Sequence, residues 1–409
     1  MAFMRALRVG LGAAICVSAI SCGGGGGGGT TPIPPPPGPT ANTASVVVDQ
    51  GPSANSVNTL FTSVKVCVPG STTSCQTIDH IQVDTGSYGL RLLAPVLTLT
   101  LPVEMLSGGG SLAECTQFVD GYSWGPVALA DVQMAGETGK SVPVQVIGDS
   151  RFTSVPAQCS STGGTQEDTV ATFGANGILG IGPFETDCGD CDKVVRNIYY
   201  ACATTSNCVE TLVPTAMQTT NPVTRFAADN NGIIIDLPTV ANAGAVTLTG
   251  SLIFGIDTQS DNKSGTQTVL TVDGTAELAM TFNGTTLANS FIDSGSNGIF
   301  FADSNIVTCT NPNINTFYCP ANTLTLGLSI QGANGVMVNN LTFNVGDAQT
   351  ILSTAPTNTY FVLPELAGTL PAGNAGTFDY GLAFFYGKRV AVAVEGNKTS
   401  VGTGPYFAF

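Results

Sequence analysis

The chain has 409 residues, of which 10% are charged and 43% are hydrophobic, so it is long enough to bury one large or two medium cores. Acidic residues outnumber basic ones by 28 to 13, and the formal net charge of -15 argues against nucleic acid or an anionic membrane surface as a partner. The 50 glycines and the short apolar runs that end in Gly, Asn or Thr favour strands joined by tight turns, so the predicted fold class is all-β.

The N-terminus has the pattern of an export signal. Arg5 and Arg8 precede an apolar stretch at 9–20, which is too short for a permanent membrane span. The letters AISC, which end at Cys22, resemble a bacterial lipobox. We therefore expect residues 1–21 to be a signal peptide and the mature protein to be a lipid-anchored lipoprotein of the bacterial cell envelope, in the outer membrane and facing the periplasm or the exterior. An ordinary cleaved signal with a disordered start is the alternative.

A tether follows the predicted lipidation site at Cys22. Seven glycines at 23–29 precede the letters TTPIPPPPGPT. Glycine-rich chain is flexible and proline-rich chain is semi-rigid. Residues 22–42 are therefore expected to hold a folded, membrane-anchored body away from the bilayer.

Cysteine usage fits an exported protein. Of the 12 cysteines, Cys16 lies in the predicted signal and Cys22 is the predicted lipid attachment site, which leaves an even number for disulfide bonds. The expected pairs are Cys67–Cys75, Cys115–Cys159 and Cys309–Cys319. Two more bridges, whose pairing the sequence leaves open, are expected among Cys188, Cys191, Cys202 and Cys208.

The C-G-D-C run at 188–191 has two other interpretations, a redox-active pair and half of a zinc site. Neither is favoured, because no thioredoxin-like βαβ context surrounds it and the single histidine, His80, is distant in sequence. No metal or other cofactor is therefore expected. His80 itself is expected on the solvent side of a strand, and an influence on the nearby Asp84 is the alternative.

One short pattern occurs twice. The letters QVDTGSYGLRL span 82–92 and FIDSGSNGIFF span 291–301. Both read Asp, Thr or Ser, Gly, Ser, any residue, Gly and then apolar residues. Each copy is followed by a second element, NGILGIG with Gly180 and DYGLAFF with Gly381. Such a complex pattern in two copies predicts an internal duplication and two lobes of similar build.

From about residue 58 onward, this ordered set of elements resembles the pepsin-like aspartic peptidases. The stretches WGPVALADVQMAG, GSLIFGID and GLAFFYGKRVAVAVEGNKTSVGTGP resemble further parts of that family in the same order. DNNGIIIDLP and FGIDTQSDN resemble bacterial lipoproteins catalogued only as a domain of unknown function. The resemblance implies two related β-barrel-like lobes and a central cleft. We expect the protein to be a monomer. We expect these lobes at 43–240 and 241–409.

The resemblance implies that Asp84 and Asp293 form a catalytic dyad. Two carboxylates brought close together cannot both ionise easily, so one keeps its proton and the pair is an acid and a base at once. Such a pair can activate water against a peptide carbonyl and protonate the leaving amine. The expected function is an aspartic endopeptidase acting on an extended peptide or protein, bound across the cleft as an added strand.

Two other functions stay open. The first is a catalytically weak or inactive protein that binds a peptide or polysaccharide in the same cleft. The second is a passive scaffold lipoprotein, which predicts no cleft.

Small residues around the two acids have expected supporting roles. The glycines let each loop turn tightly and present N–H groups to the acid. The resemblance implies that the residue after each acid cross-bonds the two loops and that the next serine donates to an outer carboxylate oxygen. These dyad-supporting residues are Thr85, Gly86, Ser87, Ser294, Gly295 and Ser296.

Several positions depart from the family pattern. The flap hairpin that closes over the dyad usually carries a tyrosine, and that position falls on Phe118, with Tyr122 as the alternative for a shifted flap. Arg91 stands where a tryptophan is usual, and it would either stabilise a negative dyad or form a surface ion pair. The second apolar-apolar-Gly element, at 379–381, begins with an acid. These departures motivate the binding alternative.

Overall fold

The computed structural model describes residues 42–119, 121–161, 164–353, 360–370, 374 and 376–409. The predicted signal peptide, the lipidation site at Cys22 and the tether lie outside these residues, apart from Asn42. Within the described ranges, no helix is long and apolar enough to cross a membrane.

Strands dominate the described residues, which confirms the all-β prediction. The strands up to residue 240 are β1 (Thr43–Val48), β2 (Leu60–Cys67), β3 (Cys75–Asp84), β4 (Tyr88–Leu93), β5 (Ser111–Gln117), β6 (Gly121–Met134), β7 (Glu137–Ile147), β8 (Thr165–Gln166), β9 (Gly177–Ile181), β10 (Tyr199–Thr204), β11 (Asn207–Glu210) and β12 (Gly232–Asp236). The later strands are β13 (Leu248–Phe254), β14 (Val269–Thr271), β15 (Leu278–Phe282), β16 (Thr285–Ile292), β17 (Ile299–Phe301), β18 (Leu324–Gln331), β19 (Met337–Val345), β20 (Ala367–Gly368), β21 (Phe378–Tyr380), β22 (Arg389–Ala393) and β23 (Tyr406–Ala408).

The helical segments of the described chain are short. They are α1 (Ala157–Ser160), α2 (Val170–Phe173) and α3 (Ala348–Ser353), with 3₁₀ turns at Ala94–Val96, Thr215–Met217, Pro222–Arg225 and Leu382–Phe385.

The strand that carries each Asp motif has the same neighbours in both halves. β3, which ends at Asp84, pairs in parallel with β9, and β9 pairs antiparallel with β4. β16, which ends one residue before Asp293, pairs in parallel with β21, and β21 pairs antiparallel with β17. This repeated arrangement confirms the prediction of two related lobes, and it brings each acid to the end of a buried strand.

One large sheet joins the two lobes. β1 pairs with β13, and β12 lies between β13 and β22. The residues Ile233 to Ile235 of β12 are buried at successive positions, so both faces of this strand are covered. A continuous apolar run is typical of a strand buried on both faces. The shared sheet therefore fixes the lobes, and with them the two Asp loops, relative to each other.

The disulfide predictions are confirmed. Cys67–Cys75, Cys115–Cys159 and Cys309–Cys319 are bonded as expected. The pairing that the sequence left open is Cys188–Cys191 and Cys202–Cys208. Because both sulfurs of the C-G-D-C run are in one bridge, neither is a free thiolate that could bind a metal ion.

Candidate active site

The structure brings Asp84 and Asp293 into contact between the lobes. Both residues are fully buried, and a Cβ on Gly295 would lie within 3.0 Å of an Oδ1 atom of each carboxyl group. The glycines make this approach possible. A Cβ on Gly86 would lie 2.6 Å from Cγ of Asp293, and a Cβ on Gly295 would lie 2.5 Å from Oδ1 of Asp84. Each loop thus needs a glycine where the carboxyl group of the other loop packs.

Reciprocal hydrogen bonds lock the two Asp loops together. The backbone N–H of Thr85 donates to the Ser294 hydroxyl at 3.0 Å, and the backbone N–H of Ser294 donates to the Thr85 hydroxyl at 3.0 Å. Each hydroxyl in turn donates across to the strand before the other acid, Thr85 to the Ile292 carbonyl and Ser294 to the Val83 carbonyl. The lobes are thereby cross-linked directly beneath the two carboxyl groups.

Each carboxyl group also receives donors from its own loop. Asp84 accepts from the Gly86 N–H at 2.7 Å and from the Ser87 hydroxyl at 2.5 Å. Asp293 accepts from the Gly295 N–H at 2.7 Å and from the Ser296 hydroxyl at 3.0 Å. All six residues expected to support the pair therefore lie at it, in the positions that the repeated motif predicts.

The surroundings of Asp293 disfavour its ionised form. Burial raises the pKa of Asp293 well above its usual range, and the negative charges of Asp84 and Asp379 raise this pKa further. Asp293 therefore retains its proton at a pH where an ordinary aspartate is ionised. Such a pair titrates as a unit, with one acidic and one basic member over an extended pH range.

Asp379 extends the site, although the sequence analysis gave it no functional role. The Ser296 hydroxyl lies 2.5 Å from Oδ2 of Asp379 as well as against Asp293. Asp379 is buried, and its Oδ1 has no hydrogen-bond partner. Burial raises the pKa of Asp379 well above its usual range, although the Ser296 hydrogen bond lowers it, and the charge of Asp84 adds to the rise. The one signal in the sequence was an acid at a position where an apolar residue was expected.

The flap hairpin consists of β5 and β6, with Phe118 and Tyr122 on either side of its turn. Phe118 is buried in an apolar cluster that includes Tyr88, and it meets the Phe173 ring edge-on, with centroids 6.2 Å apart. Tyr122 lies in a different apolar cluster, with Trp124, and its hydroxyl is 3.5 Å from Oε1 of Gln166. The Phe118 ring is therefore part of an apolar cluster, and the Tyr122 hydroxyl bonds to β8.

Neighbouring strands brace both edges of the flap. β10 pairs with β5, and β8 pairs in parallel with β6 from Gly121 to Tyr122. The Cys115–Cys159 bridge attaches β5 to α1. Ordered pairing on both sides restricts the hinge motion that a free hairpin would have.

Arg91 is fully buried in an ion cluster beside the first Asp loop. Its Nη2 donates to Glu114 at 2.6 Å and to Asp187 at 2.8 Å, and its Nη1 donates to the Tyr88 carbonyl. Burial, followed by the charge of Glu114, raises the pKa of Asp187 well above its usual range. The proposed surface ion pair is therefore wrong, because the guanidinium is buried and paired with Glu114 and Asp187.

His80 is half-buried and pairs with acids near β3. Its ring nitrogens lie 3.3 Å from Asp49 and 3.2 Å from Asp79, and its ring packs edge-on against Phe61. A backbone φ of 47° at His80 interrupts the regular alternation of the strand. The histidine therefore interacts with these two neighbouring acids.

Comparisons with known proteins give a family match without a described function. A family model described as "Protein of unknown function (DUF3443)" matches residues 38–409. No curated protein matches the chain. Among solved structures, an aspartic proteinase from Irpex lacteus is 15% identical over 90% of this chain and 96% of that chain, with a TM-score of 0.49. The fold is pepsin-like by its own topology, since the same strand arrangement in both lobes presents two interlocked Asp loops.

Proposed function

The chain belongs to the DUF3443 family, whose description assigns no function, and we propose that it is an aspartic endopeptidase with Asp84 and Asp293 as its acid–base pair. The observation that carries this proposal is the contact between two buried carboxyl groups on reciprocally bonded loops. Holding two like charges together is costly for a purely structural protein. The cost is understandable where a shared proton is used in catalysis.

The proposed reaction uses one proton on Asp293 and the ionised form of Asp84. Asp84 takes a proton from water as the water oxygen attacks the peptide carbonyl carbon, and Asp293 gives its proton to the carbonyl oxygen. The resulting diol collapses when Asp84 passes its new proton to the amide nitrogen and Asp293 recovers a proton from a diol hydroxyl. The C–N bond then breaks, and the pair returns to its starting state.

The burial of the site favours a second candidate function. Both carboxyl groups are fully buried, and the hairpin expected to be the flap is paired on both sides and carries Phe118 where the family pattern has a tyrosine. A peptide and a water molecule reach the pair only if covering groups move. A pepsin-like protein that holds an extended peptide without efficient chemistry fits this burial.

The test compares the full-length wild type with Asp84→Asn and Asp293→Asn on a peptide library between about pH 3 and about pH 8. We expect cleavage by the wild type and a loss of about 10²- to 10⁴-fold in each variant, because each removes one member of the acid–base pair. Asp192→Asn, at an exposed acid, is the matched control and should cleave like the wild type.

Two results would reject the peptidase. One is an inactive wild type, and the other is cleavage that both Asn variants retain. Peptides that bind the inactive wild type and are recovered uncut would support the second candidate instead.

A further inference from the structure

The hydroxyl of Ser296 serves two carboxyl groups. It lies 3.0 Å from Oδ2 of Asp293 and 2.5 Å from Oδ2 of Asp379. All three residues are buried. A serine hydroxyl carries one proton, so it can donate to one of these oxygens and must accept from the other.

Counting protons shows that at least one of Asp293 and Asp379 must be neutral. If Asp293 and Asp379 were both ionised, one of the two short contacts would join oxygen lone pairs with no hydrogen between them. A proton on either acid supplies the missing hydrogen. With the proton on Asp379, Asp379 donates to Ser296 and Ser296 donates to Asp293. This order also leaves the unpartnered Oδ1 of Asp379 on a neutral acid rather than on a buried charge, which would cost much more.

The first lobe lacks this third acid. In the first lobe, Ile178 of β9 pairs with Gln82 of β3. At the equivalent position of the second lobe, Asp379 of β21 pairs with Phe291 of β16. Ser87 donates to Asp84, while the position of the third acid is occupied by the apolar Ile178. The additional carboxyl group therefore acts on the Asp293 side of the pair only.

The surroundings of Asp379 contain acids and apolar groups. β16 and β17 present Phe291 and Phe300 at the positions paired with it. Asp293 and Asp84 face it from the two Asp loops, and Tyr380 follows it in its own strand. Within the described part of the chain, no ion pair involves Asp379, so ionising it adds a negative charge next to the dyad.

We propose that Asp379 is a positioning residue whose protonation, relayed through the Ser296 hydroxyl, controls how firmly Asp293 holds its proton. As a neutral acid, Asp379 leaves the hydroxyl of Ser296 pointing at Asp293. When Asp379 releases its proton to solvent, Ser296 turns to donate to it, and Asp293 loses a donor while gaining a negative neighbour. Both changes favour the protonated form of Asp293. The third acid thus extends the pH range over which the dyad retains one proton.

The proton relay is tested by infrared spectroscopy of the carboxylic acid C=O band in the full-length protein as a function of pH. The Asp293 component is the part of this band that Asp293→Asn removes. In Asp379→Asn the side-chain amide donates permanently to Ser296 and no charge develops, so the Asp293 component should disappear at lower pH than in the wild type. In Ser296→Ala, where Asp293 loses its donor, this component should persist to higher pH.

The proposal is overturned if the Asp293 component disappears at the same pH in wild type and in Asp379→Asn. Asp379→Ile places the residue found at the equivalent position of the first lobe, Ile178, and provides the same comparison should the Asn variant fold poorly. Near-ultraviolet circular dichroism checks that both variants are folded. The effect of Asp379 on peptide cleavage rests on the proposed function. If the protein is a peptidase, Asp379→Asn should move the alkaline limb of the kcat/KM profile to lower pH. The infrared shift in a protein without peptidase activity would reject the proposed function and leave the relay intact.

Discussion

At the scale of single residues, the site depends on glycines as much as on acids. Gly86 and Gly295 each pack against a carboxyl group of the opposite loop, at distances that exclude any side chain. The repeated motif predicted these glycines and the serines around them, because local turn chemistry is visible in sequence. It did not predict a role for Asp379, whose contact with Ser296 depends on the register between β16 and β21.

Gly86→Ala tests this close approach. The added methyl group would lie 2.6 Å from Cγ of Asp293, so either the loop or the carboxyl group must shift. We expect a loss of about 1–3 kcal/mol in the free energy of unfolding, measured by chemical denaturation, together with a loss of any peptidase activity.

The matched control for this variant is Gly274→Ala, where an added Cβ would meet no atom within 4 Å. That change should be neutral or stabilise the protein by about 0.4–1 kcal/mol. Equal effects of the two substitutions would contradict the packing argument.

At the scale of elements, the buried cluster around Arg91 joins strands that are far apart in sequence. Arg91 lies in β4 and Glu114 in β5, while the hydroxyl of Tyr199 in β10 donates to Asp187 at 2.5 Å. The sequence leaves two positions open for Arg91, beside the dyad or in a surface ion pair, because no local pattern reveals which acids a long side chain will contact. The same limit hid the bracing of the flap, which depends on long-range pairing of the short strands β8 and β10.

Arg91→Leu should destabilise the protein by about 3–5 kcal/mol, because it leaves a buried carboxylate without its cation. The measurement is the free energy of unfolding in denaturant at neutral pH. Arg151→Leu, which breaks an ion pair of a half-exposed arginine with Asp149, is the control and should cost no more than about 1 kcal/mol. A cost for Arg91→Leu as small as that of its control would show that the cluster contributes little to stability.

At the scale of the whole molecule, three buried acids make stability depend on pH. Burial is the largest cause of the raised pKa values of Asp187, Asp293 and Asp379. The folded protein therefore binds more protons than the unfolded chain above the ordinary aspartate pKa of about 3.9. The free energy of unfolding should consequently fall as pH rises from about 4 towards neutrality.

Groups with lowered pKa values act in the opposite direction at lower pH. Hydrogen bonds from Ser264 and Ser400 outweigh burial and lower the pKa of Asp257 to about 2, so its stabilising contribution is lost only in stronger acid. Denaturation curves recorded from about pH 4 to about pH 7 should show the predicted decline, and Asp379→Asn should make it shallower. Repulsion within a chain of net charge -15 also changes with pH, and high salt screens this repulsion. The decline that comes from the buried acids should therefore remain when the curves are recorded at high salt. A stability that rises over the same interval would contradict the raised pKa values.

If Asp84 and Asp293 act together as one acid–base pair, the pH dependence of kcat/KM for a peptide that the wild type cleaves will show it most directly. We expect a bell-shaped profile, because one proton must be present on the pair and a second must be absent. We also expect Asp84→Asn and Asp293→Asn to lose activity across the whole profile. A rate that does not change with pH, or a profile that either Asn variant reproduces, would contradict the claim.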